Sequence, residues 1–381
     1  MTVTVYKSTD SGAPILYGLA WSLLNLLDKI LVDGYGSKSS LGWAKAFASL
    51  VCSGTATGGS TTTLIDTATN FVTAGVVIGH QVIRTADGKN ARVTSITTTT
   101  NPNDTLNFTA VSPVTPTFAN TDAYTVDNNK RAYRQIAGTN QFYLRVVDDG
   151  TGAANYARVI GYETMSNIDT GTGPFPTEAQ QAGGLYAGKS ANVSSTERPW
   201  RCISDGKIFY LFFNQDSAGS GWDNGTGLTF GDYKTYKSGD TYNTVIVASS
   251  GATLATFYFN YHTQASTGKF KVRTHLGTGG SITFLFWALN YILFNTTYIG
   301  VGTITYPDPV SGSLLITPII VGESFSVLLG HFPGLWNSLH TPRLTDGDIF
   351  SGAAGPLSGK TFEVWRCYYG CVVVETSDTW S

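Results

Sequence analysis

Alternation of apolar and polar residues, the period of a half-buried β-strand, recurs along most of the chain. It is clear in residues 142–147 and 157–163. Two further strand-like runs, residues 200–204 and 207–213, flank Asp205-Gly206. An Asp-Gly pair between two such runs is a strong hairpin signal, because these residues accept the backbone angles of tight turns. Gly-rich turns separate most of the runs, so the pattern predicts a mainly β protein of sandwich-like or barrel-like domains.

One N-terminal segment has the period of an amphipathic helix instead. Between residues 15 and 32 the apolar side chains are spaced by three and four, and they include Leu16, Leu19, Leu23, Leu26, Leu27, Ile30 and Leu31. Gly34 follows, at the point where a left-handed residue would end a helix. We expect a helix over residues 15–32 whose broad apolar face packs on a sheet or on a partner subunit.

The most apolar stretch, residues 282–301, is long enough to span a membrane as a helix. Asn290 and Asn295 interrupt it, and its many aromatic and β-branched residues favour strands. As a strand it places Phe286 on one face and Trp287 on the other, and both faces are mostly apolar. We therefore expect a buried strand pair at or near an oligomer interface that includes Phe286 and Trp287, with no membrane insertion.

The composition changes sharply within the first half of the chain. Residues 52–126 are rich in Thr, Ser, Gly and Ala, contain no Trp, and have Tyr124 as their only Tyr. Aromatic and charged residues return directly afterwards. We expect an inserted small β domain at residues 52–126, a host domain of residues 1–51 and 127–230, and a C-terminal β domain of residues 231–381.

Charge is scarce in this chain. Only 13% of the residues are charged and the formal net charge is -2, whereas globular proteins carry about 25% charged residues. Low charge favours association, and no cluster of Lys and Arg indicates nucleic-acid binding. The first residues lack the pattern of a secretory signal, so we expect the protein to stay in the cytoplasm until assembly. Copies of itself and other proteins are the expected partners.

The four cysteines leave two alternatives open. A reducing cytoplasm favours free thiols. Cys367 and Cys371 flank Tyr368-Tyr369-Gly370, and if these three residues form a hairpin loop, the two cysteines face each other and a disulfide is geometrically feasible. No second Cys or His pair lies nearby to complete a zinc site. We predict no metal and no cofactor.

No motif predicts catalysis. The five histidines have no metal-binding spacing. The carboxylate pairs that a glycosidase would need are Asp148 with Asp149, Asp232 with Asp240, and Asp346 with Asp348. Each pair lies beside Gly in a predicted turn, where Asp is favoured for backbone reasons. We therefore predict that the protein is not an enzyme.

Aromatic residues also occur in polar, turn-rich segments. Tyr233, Tyr236 and Tyr242 recur in one such segment, and Trp336 ends a rigid turn that contains Pro333. Tyr and Trp are enriched at protein interfaces. We favour an interface that includes Tyr233, Tyr236 and Trp336, and the alternative of stacking on host-surface sugars stays open.

Several segments outside residues 52–126 share one resemblance. They are Lys130-Arg131-Ala132-Tyr133-Arg134-Gln135, residues 142–146, 157–166 and 170–176, Phe230-Gly231-Asp232, residues 236–240, Pro333-Gly334-Leu335-Trp336, and Phe362 with the tail Glu375-Thr376-Ser377-Asp378-Thr379-Trp380. Together they resemble a family of virion structural proteins of tailed bacteriophages. Residues 52–126 are similar to a Thr-rich β module of phage structural proteins, through Ile65-Asp66-Thr67, Asn70-Phe71 and Gly79-His80-Gln81-Val82.

This resemblance implies a structural component of the virion, assembled in the host cytoplasm, but it specifies no position within the particle. Our leading hypothesis is a component of the tail or baseplate region that is made in many symmetric copies. A decoration protein on the capsid of the head is one alternative. A tail protein that binds host-surface saccharide is another. The resemblance implies no catalytic residue and no cofactor.

Overall fold

A computed structural model describes residues 2–97, 104–110, 115–149, 154–216, 222, 225–248, 270–273, 281–282, 285–287, 316–324, 327–338, 345–352, 355–367 and 370–380. The helical elements are α1 (Ser22–Leu27), a π-helical continuation (Asp28–Asp33) and a 3-10 turn (Gly355–Leu357). The strands are β1 (Thr4–Lys7), β2 (Ala44–Thr55), β3 (Gly58–Gly59), β4 (Thr63–Ile65), β5 (Gln81–Arg84), β6 (Asn90–Thr97), β7 (Thr105–Ala110), β8 (Ala123–Arg134), β9 (Tyr143–Val147), β10 (Tyr156–Tyr162), β11 (Thr164–Asn167), β12 (Thr170–Thr172), β13 (Leu185–Gly188), β14 (Trp200–Ser204), β15 (Ile208–Asn214), β16 (Gly225–Asp232), β17 (Lys234–Thr235), β18 (Thr244–Val247), β19 (Phe270–Arg273), β20 (Ser281–Ile282), β21 (Leu285–Trp287), β22 (Ile316–Ser324), β23 (Val327–Ser338), β24 (Ile349–Ser351), β25 (Thr361–Cys367) and β26 (Gly370–Glu375). The prediction of a mainly β protein with one N-terminal helix is confirmed.

Within the described residues, three large antiparallel sheets contain nearly all the strands. The N-terminal sheet has the order β13-β10-β9-β8-β5-β6-β7-β4-β3, and β2 also pairs with β8. The middle sheet has the order β1-β14-β15-β16-β18-β19-β20, and the C-terminal sheet β21-β22-β23-β26-β25-β24, with β17 also paired to β23. Strands β11 and β12 form a separate hairpin.

The middle sheet is covered on both faces, which makes the sheets three stacked layers. In β15, Phe209 and Leu211 belong to the core shared with the N-terminal sheet. Tyr210 and Phe212, which point the other way, belong to the core shared with the C-terminal sheet. A strand with two buried faces is expected to be continuously apolar, as β15 is. Its pairing with β14 confirms the hairpin predicted around Asp205-Gly206.

The predicted helix over residues 15–32 is wrong at its start, because α1 begins only at Ser22. Leu16 pairs instead with Arg198 in an isolated β-bridge. Trp21 has a φ of 72°, which lies outside the right-handed helical region, so the helix cannot extend back through this residue. Gly34 follows the helical segment with a φ of 80° and a ψ of 173°, so the left-handed helical conformation expected there is wrong, although its positive φ still favours glycine. The helix lies in the core between the N-terminal and middle sheets.

The insert, residues 52–126, contains an apolar core of its own. Its members include Leu64, Phe71, Val82, Leu106 and Phe118, all fully or almost fully buried. The backbone is nevertheless continuous with the host, since β2 and β8 run from the N-terminal sheet into the insert and pair along both parts. Separate folding of the insert stays a prediction.

A polar layer lies where the insert meets the host core. Arg131 forms a buried ion pair with Asp127 and lies 3.6 Å from the carboxylate of Asp28. Lys45 and the hydroxyl of Tyr133 donate to the same Asp28 carboxylate at 2.9 and 2.8 Å. Because a buried charge that loses its partner is strongly destabilising, this layer fixes how β8 and the helical segment meet.

The expected boundary between residues 230 and 231 falls inside β16. Beyond it, β18 pairs with β16 and β19 pairs with β18, so the middle sheet contains residues from both sides of that boundary. A division there would cut a continuously hydrogen-bonded sheet.

Residues 282–301, predicted as one buried strand pair, are described only at 282 and 285–287. Ile282 ends β20 in the middle sheet, and residues 285–287 form β21 in the C-terminal sheet. The expectation of one strand that begins at residue 282 and includes Phe286 and Trp287 is therefore wrong, because Ile282 and Leu285 belong to different sheets. Among the described residues, no helix is long and apolar enough to cross a membrane.

Candidate functional site

A cleft of about 470 Å³ opens where the β14–β15 hairpin, the end of β16 and the C-terminal segment meet. The residues that determine its chemistry are Asp205, Lys207, Asp232, Lys234, Asn243 and Trp380. Three segments contribute to it: the end of β16 at Asp232, Pro333 within β23, and the C-terminal residues Thr379 and Trp380. They lie far apart in sequence, so only the fold brings them together.

Asp232 lies at the base of the cleft and is 7% exposed. Its Oδ1 accepts a hydrogen bond from the Thr244 hydroxyl at 2.6 Å, and its Oδ2 accepts from the backbone N–H groups of Thr139 and Asn140 at 2.9 and 3.4 Å. Burial raises the pKa of Asp232 to about 6, although these hydrogen bonds oppose the change. Asp232 therefore joins the loop after β8 to the middle sheet.

Lys207 and Lys234, both exposed, also line the cleft. Asp205 is half-buried beside them, and its Oδ1 accepts from the N–H groups of Lys207 and Ile208 at 2.9 and 3.1 Å. These bonds belong to the hairpin turn, as expected for an Asp preceding Gly. Among the described residues, neither lysine ammonium forms an ion pair.

The aromatic wall of the cleft is Trp380. Its indole N–H donates to the carbonyl oxygen of Glu375 at 2.8 Å, and its ring lies 5.7 Å from that of Tyr210. A Cβ atom at Gly334 would overlap the indole, and Gly334 also has a φ of 72°. Glycine is therefore required at this position for two reasons, backbone conformation and the close approach of Trp380. The turn predicted at Pro333 is wrong, because the segment lies within β23, where the register with β22 is irregular.

The other carboxylates considered for catalysis make structural contacts. Asp148 forms an ion pair with Lys189, and both side chains are fully buried. Asp346 binds the guanidinium of Arg201 through both oxygens, at 2.7 and 3.0 Å. Asp240 and Asp348 accept hydrogen bonds from nearby backbone N–H groups. These contacts are those of turns and ion pairs, and the absence of catalysis stays a prediction.

The predicted interface residues lie in different environments. Tyr233 is only 2% exposed and packs in the core between the middle and C-terminal sheets, so its prediction as a surface aromatic is wrong. It is buried because β16 and β18 hold the segment against Gly330, where a Cβ would contact the Tyr233 ring. Tyr236 is 52% exposed and lies beside His331. Trp336 is half-buried, edge-on to Phe362 at 6.1 Å.

Phe286 and Trp287, also predicted at an interface, lie in β21 opposite Val321 and Ile320. Their pairing places them in the C-terminal sheet. Their role at an oligomer interface stays a prediction.

The predicted hairpin that contains Cys367 and Cys371 is present, but its register differs. Cys367 lies opposite Gly370, and Cys371 lies opposite Arg366. The backbone register therefore does not pair the two cysteines directly, as the three-residue loop would have done, and their disulfide stays a prediction. Among the described residues, Cys52 and Cys202 form no disulfide. No group of three or more potential metal ligands occurs within the described part of the chain.

Sequence reasoning missed Lys189, Lys207, Lys234 and Trp380. The Asp205-Gly206 hairpin signal located the turn that carries Lys207, but nothing in the pattern indicated a cleft beside it. Lys189 follows β13 and has no local feature that distinguishes it from an exposed lysine. Comparison with known proteins adds no assignment, since no model of a known protein family matches the chain and no curated protein is significantly similar to it.

Proposed function

We propose that the protein is a structural component of a tailed-bacteriophage virion that acts by protein–protein contacts in the tail or baseplate region. The observation that carries this proposal is a group of exposed aliphatic residues on one loop of the insert. Val72, Val77 and Ile78 are 51%, 55% and 64% exposed. Three large exposed apolar side chains within one short loop suit a contact with another protein.

The low charge of the chain supports the same proposal. A surface with few charges and grouped apolar residues is prone to associate. A second exposed group lies on the C-terminal sheet, where Tyr236 and Leu328 are 52% and 51% exposed and the Tyr236 N–H donates to Leu329. Two such groups, one on the insert and one on the C-terminal sheet, suit a subunit that contacts more than one neighbour.

Quantitative mass spectrometry of purified virions tests the proposal. A few to a few dozen copies in each particle are expected for a tail or baseplate component. Hundreds of copies would instead indicate a decoration protein on the head. Absence of the protein from purified particles would refute the structural role.

A variant series tests whether the insert loop makes the contact. Val77→Asp with Ile78→Asp should reduce incorporation into particles, because a charge at a buried contact is costly. Ile136→Asp is the matched control, since Ile136 is 49% exposed and lies on another loop. Equal incorporation of both variants would show that the loop of the insert is not the contact.

A further inference from the structure

The pair formed by Asp148 and Lys189 is completely buried, since both side chains have zero exposure. Asp148 directly follows β9 and Lys189 directly follows β13. Both strands pair with β10, so the two residues join strands on either side of it. Taking two charges out of water carries a desolvation cost for each ion, which favours a neutral amine and a neutral carboxylic acid. Burial accordingly raises the pKa of Asp148 and lowers that of Lys189, although their mutual attraction opposes both changes.

The contacts of the pair hold the amine against the carboxyl group. The Nζ of Lys189 donates to Oδ1 of Asp148 and to the carbonyl oxygen of Leu19. The other carboxyl oxygen, Oδ2, accepts the backbone N–H of Leu23 at 3.0 Å. A neutral lysine amine is a nucleophile, and the carboxyl carbon is its electrophile. Well-oriented groups within one molecule react as if their concentration were about 10⁵ M or more.

We infer that Lys189 and Asp148 condense to an isopeptide bond once the chain has folded. A proton passes from Nζ to Oδ1, Nζ attacks Cγ, and the bond between Cγ and Oδ1 breaks. Oδ1 leaves as water with two protons from the lysine nitrogen, and the third proton stays on the amide nitrogen. The N–H of Leu23 stabilises the negative charge that develops on Oδ2 during the attack. The two opposite charges disappear together, so no further reactant is needed.

The resulting amide suits this site better than the ion pair does. Its N–H keeps the hydrogen bond to the carbonyl oxygen of Leu19, and its oxygen, the former Oδ2, keeps the bond from Leu23. No charge stays buried, so the desolvation cost of the pair is removed. Exclusion of water also disfavours hydrolysis, the reverse reaction. The inference goes beyond the structural role proposed above and does not depend on the place of the protein in a virion.

A second pair of the same residue types serves as an internal comparison. The Nζ of Lys45 lies 2.9 Å from Oδ2 of Asp28, but their side chains are 30% and 10% exposed. Water therefore solvates this pair and favours its charged forms. We expect no bond between Lys45 and Asp28, so trypsin should cleave the chain after Lys45.

Intact-mass spectrometry of the purified full chain tests the inference. The wild-type protein should be lighter by one water molecule than its sequence requires. Lys189→Arg should have the full mass of its sequence, because the guanidinium keeps the charge and stays protonated. Combined digestion of the wild-type protein with trypsin and a glutamate-specific protease should release residues 146–158 and 179–197 as one branched peptide. These two peptides do not adjoin in the sequence, so incomplete digestion cannot imitate the branched product.

A wild-type mass that shows no loss of water after prolonged incubation of the folded protein would overturn the inference. In that case the two peptides separate and trypsin cleaves after Lys189. Loss of water confined to residues 146–158 would overturn it as well, because Asp149-Gly150 can form a cyclic imide within that one peptide. A branched peptide located by fragmentation at Asp148 and Lys189 is the result that supports it.

Discussion

Removal of the lysine from the buried pair Asp148–Lys189 should destabilise the protein strongly. Both side chains have zero exposure, and Lys189 also donates to the carbonyl of Leu19. The Asp148 carboxylate accepts the N–H of Leu23 at 3.0 Å, which attaches the start of α1 to the end of β9. Burial raises the pKa of Asp148 and lowers that of Lys189, while their mutual attraction opposes both changes.

The size of the destabilisation depends on the ionisation state of Asp148 in the variant Lys189→Met. The carboxyl either stays ionised without a partner or becomes protonated. Protonating a carboxyl of ordinary pKa 3.8 at pH 7 costs about 4 kcal/mol, at about 1.4 kcal/mol per pH unit. This cost sets the upper limit, and it lies within the 3–5 kcal/mol typical of a broken buried pair.

The double variant Asp148→Asn, Lys189→Met is the reference that isolates this carboxyl. Asn keeps an oxygen to accept the Leu23 N–H and has no charge to bury. Because the folded-state pKa of the unpaired Asp148 is raised, its stability contribution is present at low pH and is lost as pH rises. The single variant should therefore be less stable than the double variant by up to about 4 kcal/mol at pH 7, and by only about 1 kcal/mol at pH 4.5.

Urea unfolding followed by circular dichroism at both pH values measures the difference. Lys29→Met is a surface control, since Lys29 and Asp33 are both about two-fifths exposed in their ion pair, and its effect should stay within about 0.5 kcal/mol. A difference between single and double variants below about 1 kcal/mol at pH 7, or one that does not shrink at pH 4.5, would refute the reasoning.

Three further outcomes are expected. The raised pKa of Asp232 means that this carboxyl stabilises the folded state fully below about pH 4 and loses that contribution as pH rises through about 6. Asp232→Asn should therefore be less stable than the wild-type protein at pH 4. In urea unfolding, the difference in free energy of unfolding between the two proteins should narrow by about 2–3 kcal/mol from pH 4 to pH 7. Arg201→Met should lower the free energy of unfolding by about 2–4 kcal/mol, because it leaves the carboxylate of Asp346 without its bidentate partner; Arg201→Lys should recover only part of this, and full recovery would contradict a role for the bidentate geometry. Replacement of residues 52–126 by a short Gly-Ser linker should leave a soluble protein that melts cooperatively, and an insoluble product without a melting transition would defeat the insertion hypothesis.

The sequence by itself determined the class of fold and most of the strands. Alternation is a local property of a half-buried strand, so β9 and β10 could be located from a few neighbouring residues each. The hairpin around Asp205-Gly206 depended only on turn chemistry. The change in composition at residues 52–126 coincided with a separate apolar core, whose buried side chains come from the insert itself.

Only the tertiary structure decided which strands are neighbours and where polar side chains meet. The start of α1 moved to Ser22 because Leu16 pairs with Arg198, a partner more than 180 residues away along the chain. Tyr233 is buried in the core and Asp148 binds Lys189. In both cases the contacting segment is distant along the chain, so the local sequence pattern could not identify it. The cleft beside Trp380 exists only because three distant segments converge on one end of the middle sheet. Periodicity indicates which faces of a strand are buried. Which segments of the chain pack on those faces depends on the long-range pairing of strands and packing of sheets.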